Sequence, residues 1–340
     1  MTTEQIHDLA ARSAYPGPKA PARVIETHIS WVLLTPAHAF KIKKPLQLSF
    51  LDFSTLALRR YYCQQEVALN RRLAPDLYLG ILAVQPDESG ALSIGPLQEE
   101  RPLLDYAVWM RRLDDSRQMD RLLAQNAVRG HDMEALAEQL AAFHRKYALT
   151  DADTPGETPD EYRADFEDLF AHEPIARQLF SEVVATRFDA WRQRERQFLE
   201  AHQHRLDERA RNGFWVDGHG DLHARNIFLL PNGPVVFDCI EFSPHLRRSD
   251  VLNELAFLAM DLEAREHAPL AQAFMTAYLR HWPCIENAAD ERIFLYFKYY
   301  RANVRLKIAL LQWAQTPTPE AEKAARQYWA LLEQYAAAMA

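Results

Sequence analysis

The spacing of apolar and polar positions divides this chain of 340 residues into a β-rich beginning and a helical remainder. Residues 1–20 read as a short helix running into the Pro-rich turn Tyr15-Pro-Gly-Pro. Arg23–Thr27, Ser30–Thr35 and Ala39–Lys43 then carry strand-like patterns, and helical periodicity runs from near Ser54 to about Leu73. Leu79–Gln85 and Tyr106–Leu113 are two further strand-like runs, separated by the turn-rich Pro86–Pro96. Beyond Asp114 the pattern is mostly helical, and Met133, Leu136, Leu140, Phe143 and Tyr147 fall on one helical face. Thr150–Pro159 reads as a polar loop, and a charged helical region follows to Arg211, with Gly213 placed to end it. The pattern then breaks. Gly218–Asn226 is loop-like, Ile227–Leu230 and Val235–Phe237 are short strands joined at Asn232-Gly233, and helices resume from Asp250.

Composition narrows the classes. The chain is 48% hydrophobic and 25% charged with a formal charge of −8, which argues against a general nucleic-acid binder. Cys63, Cys239 and Cys284 leave one thiol unpaired under any disulfide scheme, so a reducing compartment is expected. The first residues show no basic stretch followed by an apolar core, and no run reaches the roughly 18 apolar residues of a membrane span. The expectation is a cytoplasmic protein with no membrane or nucleic-acid partner; its oligomeric state is left open.

The chemistry concentrates in His219-Gly220-Asp221-Leu222-His223-Ala224-Arg225-Asn226, followed by Phe237-Asp238. Phosphoryl transfer needs a carboxylate to orient the attacking hydroxyl and oxygen ligands for the Mg²⁺ on the phosphates. Asp221 and Asn226 lie five residues apart on one loop, and the hairpin after it can return Asp238 to Asn226, giving a metal site of Asn and Asp oxygens.

This segment resembles the catalytic loop of aminoglycoside phosphotransferases and related small-molecule kinases. Protein kinases share the Asp-to-Asn spacing but place an Arg before the Asp, where this chain has Gly220. The resemblance implies an α+β, protein-kinase-like bilobal fold with a small β-rich N-lobe and a larger, mainly helical C-lobe. Its expected divisions are an extension at 1–22, an N-lobe at 23–110 and a C-lobe at 111–340. It further implies a phosphate-binding lysine on a strand and a glutamate on the next helix. Ala39-Phe40-Lys41 has the form of that strand, residues 39, 41 and 43 share one face, and Glu66 lies on the helix. Lys41 is preferred over Lys43, which remains a competitor for the phosphates. His219 is expected to brace the loop, and His223 to lie near the phosphates.

The runs "FKIKKPLQLSFLDFSTLALRRYYCQQEVALNRRLAPDLYLG", "VVFDCIEF" and "DVLNELAFLAMDLE" are similar to a bacterial branch of this superfamily. Some members of that branch fuse a P-loop ATP-binding domain; this chain holds no G-x-x-x-x-G-K-[ST], so that domain is expected to be absent. Glu26–His38 has no glycine, which shifts phosphate contacts onto the lysine and Mg²⁺. Adenine is expected against backbone near Met110–Leu113. The functional expectation is therefore an ATP- and Mg²⁺-dependent phosphotransferase acting on a small-molecule hydroxyl.

Two other classes remain open. His219-x-Asp221-x-His223 offers ligands for a metal hydrolase. A non-catalytic kinase-like binder would keep the same residues. In Ile293–Leu311, the positions Ile293, Phe297, Tyr300, Val304, Ile308 and Leu311 are expected to form the buried face. Lys298, Arg301 and Arg305 form a stripe about 100° away. Arg301 and Arg305 are candidates for binding an anionic or neutral substrate rather than a polycation.

Overall fold

A computed structural model describes residues 1–48, 51–149, 159–168, 170–181 and 183–339, so most of the loop expected at Thr150–Pro159 lies outside the described residues. From the amino terminus run α1 (Thr3–Ala11), β1 (Arg23–Glu26), β2 (Ser30–Leu34), β3 (His38–Lys43), β4 (Gln47–Leu48) and β5 (Leu51–Asp52). Then come α2 (Leu56–Asn70), β6 (Tyr78–Pro86), β7 (Leu92–Gly95), β8 (Asp105–Arg111), α3 (Met119–Ala124) and α4 (Gly130–Lys146). The middle holds α5 (Pro159–Glu167), α6 (Glu173–Phe180), α7 (Val183–Arg211), β9 (Trp215–Asp217), β10 (Ile227–Leu230) and β11 (Gly233–Val236). The chain closes with α8 (Pro244–Arg247), β12 (Arg248–Asp250), α9 (Val251–Ala264), α10 (Ala268–His281), α11 (Ala288–Gln315) and α12 (Pro319–Ala338).

These elements form two compact units: Met1–Arg121 with Arg225–Arg247, and Leu122–Ala224 with Arg248–Ala340. The first is built on an antiparallel sheet in the order β1-β2-β3-β8-β6-β7. Its alternation sends Phe40 and Ile42 to one face, where they pack with Ile6, Leu9 and Ala10 of α1. Ala39 and Val108 point to the other face, against Cys63 and Val67 of α2 and beside Val235 and Phe237. The glycine-free β1–β2 connection closes through its own threonine: the Ser30 N–H donates to the Thr27 hydroxyl at 2.9 Å. The segment Pro86–Pro96, expected as turns, contains β7, which pairs with β6 at the sheet edge.

The second unit is helical, with α4 against α10 and α9 against both α10 and α11. Gly213 follows α7 with φ +78°, as its position in the sequence suggests. A short β9–β12 pair, not expected from the sequence, joins Trp215 to Asp250 across the entrance to α9. Almost every residue of α9 is buried, including the polar Asn253, Glu254 and Asp261. The buried face expected on α11 is present at Ile293, Phe297 and Tyr300, but Val304, Ile308 and Leu311 are half-exposed. Arg301, expected beside that face, is itself buried. The reason is that α11 packs against α7, α9 and α12, so its buried arc is wider than one stripe.

Candidate active site

Residues 39, 41 and 43 of β3 face α2, and this sets the first group of charges. The Lys41 ammonium lies 2.9 Å from Glu66 Oε1 and 2.6 Å from Asp238 Oδ1. Lys43 Nζ lies 2.7 Å from Glu66 Oε2 and also pairs with Glu241. The two lysines differ in exposure: the Lys41 side chain is 13% exposed and that of Lys43 only 1%. Burial opposes the charge on Glu66, yet the two ammonium groups pull its carboxyl down to about 2. Lys41 is held well above the ordinary lysine range; burial works against this, and Asp238, Glu66 and Glu241 outweigh it.

Asp238 reaches this group because β10 and β11 fold back on themselves, as Asn232-Gly233 suggests. The Phe237 N–H donates to the Asn226 carbonyl at 3.0 Å, so Asp238 follows directly on a residue tied to Asn226. Asp238 adopts φ +64°, a conformation uncommon outside glycine but tolerated by Asp, and its N–H donates to the Tyr78 hydroxyl at 3.2 Å. Asn70 completes the anchor. Its amide donates to the Glu66 carbonyl at 2.9 Å and its oxygen accepts from the Cys239 N–H at 2.9 Å. The Asp238 carboxylate remains 42% exposed, and carboxylate and amide oxygens such as those of Asp238 and Asn226 are of the hard type that Mg²⁺ takes.

The loop carrying Asp221 belongs to the second unit and is held by α9. One Glu254 carboxylate accepts from the His219 N–H at 2.7 Å and the Gly220 N–H at 2.6 Å. Asp261 accepts from the Ala224 N–H at 2.9 Å. Gly218 fits because it lacks a Cβ, which would sit 2.6 Å from the Glu254 carboxyl carbon; Gly220 has φ +83°. His219 is fully buried, and its Nδ1 accepts the Asp221 N–H at 3.2 Å. His223 packs edge-on to Phe257 and places Nε2 3.3 Å from Asp221 Oδ2. Burial opposes the charge of Asp221, but His223, Arg305 and His219 hold its carboxyl well below the usual carboxylate range. Asp221 is an acceptor at any working pH.

The structure therefore brings Lys41, Lys43, Glu66 and Asp238 together in one unit, and His219, Asp221 and His223 together in the other. Arg301 is corrected: it is 7% exposed and donates to Asn253 Oδ1 at 2.7 Å and the Gly220 carbonyl at 3.3 Å. It braces the loop from below. Arg305 is half-buried, with Nε 3.3 Å from the Tyr328 hydroxyl, and among the described residues no carboxylate lies within ion-pair distance of it. Of the backbone proposed for adenine, the Arg111 and Arg112 N–H groups already donate to Leu77 and Ala37. Among the described residues, no group of three His, Cys, Asp or Glu side chains is arranged to hold a metal. Sequence reasoning missed Asn70, Tyr78, Glu241, Glu254 and Asp261. The readable signal for the last two was polar residues inside an otherwise apolar helix.

Residues 62–287, more than half of the chain, match the sequence model of the Phosphotransferase enzyme family (APH). The chain belongs to that family. It is 32% identical over 304 residues to the uncharacterized protein Rv2004c of Mycobacterium tuberculosis and, equally, to Mb2027c of Mycobacterium bovis. The match takes in 89% of this chain and 57% of each relative, so the chain spans little more than half the length of the curated relatives it matches. Among solved structures, a choline kinase from Cryptosporidium parvum superimposes with a TM-score of 0.55 at 13% identity, covering 98% of this chain and 95% of the other. A choline/ethanolamine kinase family protein from Mesorhizobium loti gives 0.53 at 15%, covering 100% and 99%. The GDP and kanamycin complex of APH(2")-IIia gives 0.54 at 12%, covering 97% of each chain. These likenesses establish a kinase-like α+β fold with a small antiparallel sheet and a larger helical part. Among the described residues, no helix is long and apolar enough to cross a membrane.

Proposed function

We propose that this chain is an ATP- and Mg²⁺-dependent phosphotransferase acting on a hydroxyl of a small molecule. The observation that carries the reading is the Lys41 ammonium held between Glu66 and Asp238, a lysine braced on one side and paired with a prospective metal ligand on the other. Lys41, the more exposed of the two lysines, binds the ATP phosphates. Asn226 and Asp238 hold Mg²⁺, which supplies charge neutralisation at those phosphates when bound. Asp221 orients the substrate hydroxyl and accepts its proton as the oxygen bonds to the γ-phosphorus and ADP departs. His219 and His223 fix the position of Asp221. Asp221 is preset to accept a hydrogen bond from the substrate hydroxyl and so to orient it, because its carboxylate is already ionised and tethered.

The kinases that share this fold are named for choline and ethanolamine, and another neighbour was solved with kanamycin. Choline and kanamycin are cations. The half-buried Arg305 guanidinium, electrostatically coupled to Asp221, favours a neutral or anionic hydroxyl compound here instead. Isothermal titration of ATP with and without Mg²⁺ tests the nucleotide half of the proposal. Heat released only when both are present is expected; metal-independent or absent ATP binding contradicts it.

A further inference from the structure

Five side chains of alternating charge form a line in the first unit: Asp238, Lys41, Glu66, Lys43 and Glu241. Phosphate binding calls on Lys41, its brace Glu66 and Asp238, which leaves Lys43 and Glu241 unexplained. Both are almost fully buried, and the Lys43 ammonium sits 4.8 Å from the centre of the Phe53 ring. Burial and the neighbouring Glu66 push the Glu241 carboxyl up from its ordinary range, against the pull of Lys43. Packing alone gives no reason to keep such a pair, because well-packed apolar residues usually stabilise an interior at least as well.

The arrangement around Glu66 gives a reason. Its two oxygens are divided, Oε1 toward Lys41 and Oε2 toward Lys43. Lys43 is the drier of the two ammonium groups and has Glu241 as its only other charged partner among the described residues. Without Glu241, the buried Lys43 would have only Glu66 to compensate it and would draw that carboxylate away from Lys41. We infer that Glu241 is a positioning residue: by neutralising Lys43, it keeps one oxygen of Glu66 on Lys41. This role rests on the phosphotransferase reading, since Lys41 is the group being positioned. Glu241 lies three residues after Asp238, so one short segment supplies a carboxylate to each lysine and fixes strand, helix and loop at two points.

The inference predicts an unusual pattern of rescue. Glu241→Gln should weaken Mg-ATP binding by about tenfold or more, equivalent to about 1.4 kcal/mol. Adding Lys43→Met should then restore binding to within about threefold of wild type, because the competitor for Glu66 is gone. A residue that merely supported packing would give a double variant no tighter than the single one. The experiment is calorimetric titration of Mg-ATP into the wild type, Glu241→Gln, Lys43→Met and the double variant, with melting temperatures recorded beside each. Where Glu241→Gln is too unstable to titrate, Glu241→Met, which also removes the charge but fills the site, replaces it in the comparison. Weakening followed by rescue supports the role. A single variant that binds like wild type, or a double variant no better than the single, overturns it while leaving the phosphotransferase reading intact. A wild type that takes up no Mg-ATP overturns both.

Discussion

Lys41 and Asp238 stand 197 residues apart in the chain, yet Nζ and Oδ1 meet at 2.6 Å. The contact joins the middle strand of the curled sheet to the end of a hairpin from the second half of the sequence. Under the proposed reading, one partner of this contact serves the nucleotide phosphates and the other the metal, so the contact holds the two ligand-binding groups side by side.

Exposure distinguishes the two lysines of β3. Lys41→Met should weaken Mg-ATP binding by about tenfold or more, whereas Lys43→Met should change it by no more than a few-fold. The cost of Lys43→Met should fall on stability instead, because it leaves Glu241 buried without its partner, a loss of about 3–5 kcal/mol in comparable cases. Paired titrations and thermal melts check the order. A reversal would make Lys43 the phosphate ligand.

Removal of Asp238 should abolish the Mg²⁺ dependence of ATP binding, while Asn226→Ala should only reduce it, since the amide carries no net charge. Calorimetry across a Mg²⁺ series reads this directly. An Asp238→Ala variant with unchanged Mg²⁺ dependence excludes Asp238 as a ligand.

Much of this group was legible before any coordinates. Strand alternation put Lys41 and Lys43 on one face, the next helix offered Glu66, and the Asn232-Gly233 turn returned Asp238 to Asn226. Each relation is either local or follows from a single turn. Glu241 was not legible, because a lone carboxylate after Asp238 carries no periodic mark, and its partner is defined only when β3 and the hairpin meet. Arg301 was misread for a different reason. Counting 100° per residue assumes one buried stripe, whereas α11 is packed against several neighbouring helices, α7, α9 and α12 among them. Glu254 and Asp261 of α9 had a visible signal, but the loop groups they hold are backbone N–H groups, which leave no trace in side-chain patterns.

The support of the Asp221 loop predicts a tight steric limit at Gly218. Gly218→Ala sets a Cβ 2.6 Å from the Glu254 carboxyl carbon, which is fully buried and already holds two N–H groups. A loss of about 1–3 kcal/mol is expected from such overpacking. Gly130→Ala, whose Cβ meets nothing within 4 Å, should leave the melting temperature nearly unchanged or raise it slightly. Equal melts for the two variants would mean that Glu254 does not fix this turn.

A pH effect should appear far from the loop. Burial pushes the Glu195 carboxyl up to about 7, against the pull of Arg163. In the unfolded chain a glutamate titrates near 4.3, so the folded state binds the extra proton between roughly pH 4.3 and 7. Stability is therefore lost as pH rises through that window, and the deficit is complete above about 7. Glu195→Gln keeps the oxygen facing the Tyr296 hydroxyl and removes the charge. It should stabilise the protein by about 1–3 kcal/mol at pH 8 and by little near pH 4.5. Denaturant titrations at the two pH values test the sign.

The most direct test of the central proposal is ³¹P NMR of ATP and Mg²⁺ incubated with the protein and a panel of hydroxyl-bearing sugars, polyols, nucleosides and hydroxy acids. The account predicts that the γ-phosphorus signal declines as a phosphomonoester signal and ADP grow. It also predicts that Asp221→Asn slows this by about 10² to 10⁴-fold while still binding Mg-ATP. ATP signals that stay unchanged, or a product formed equally fast by Asp221→Asn, would contradict it.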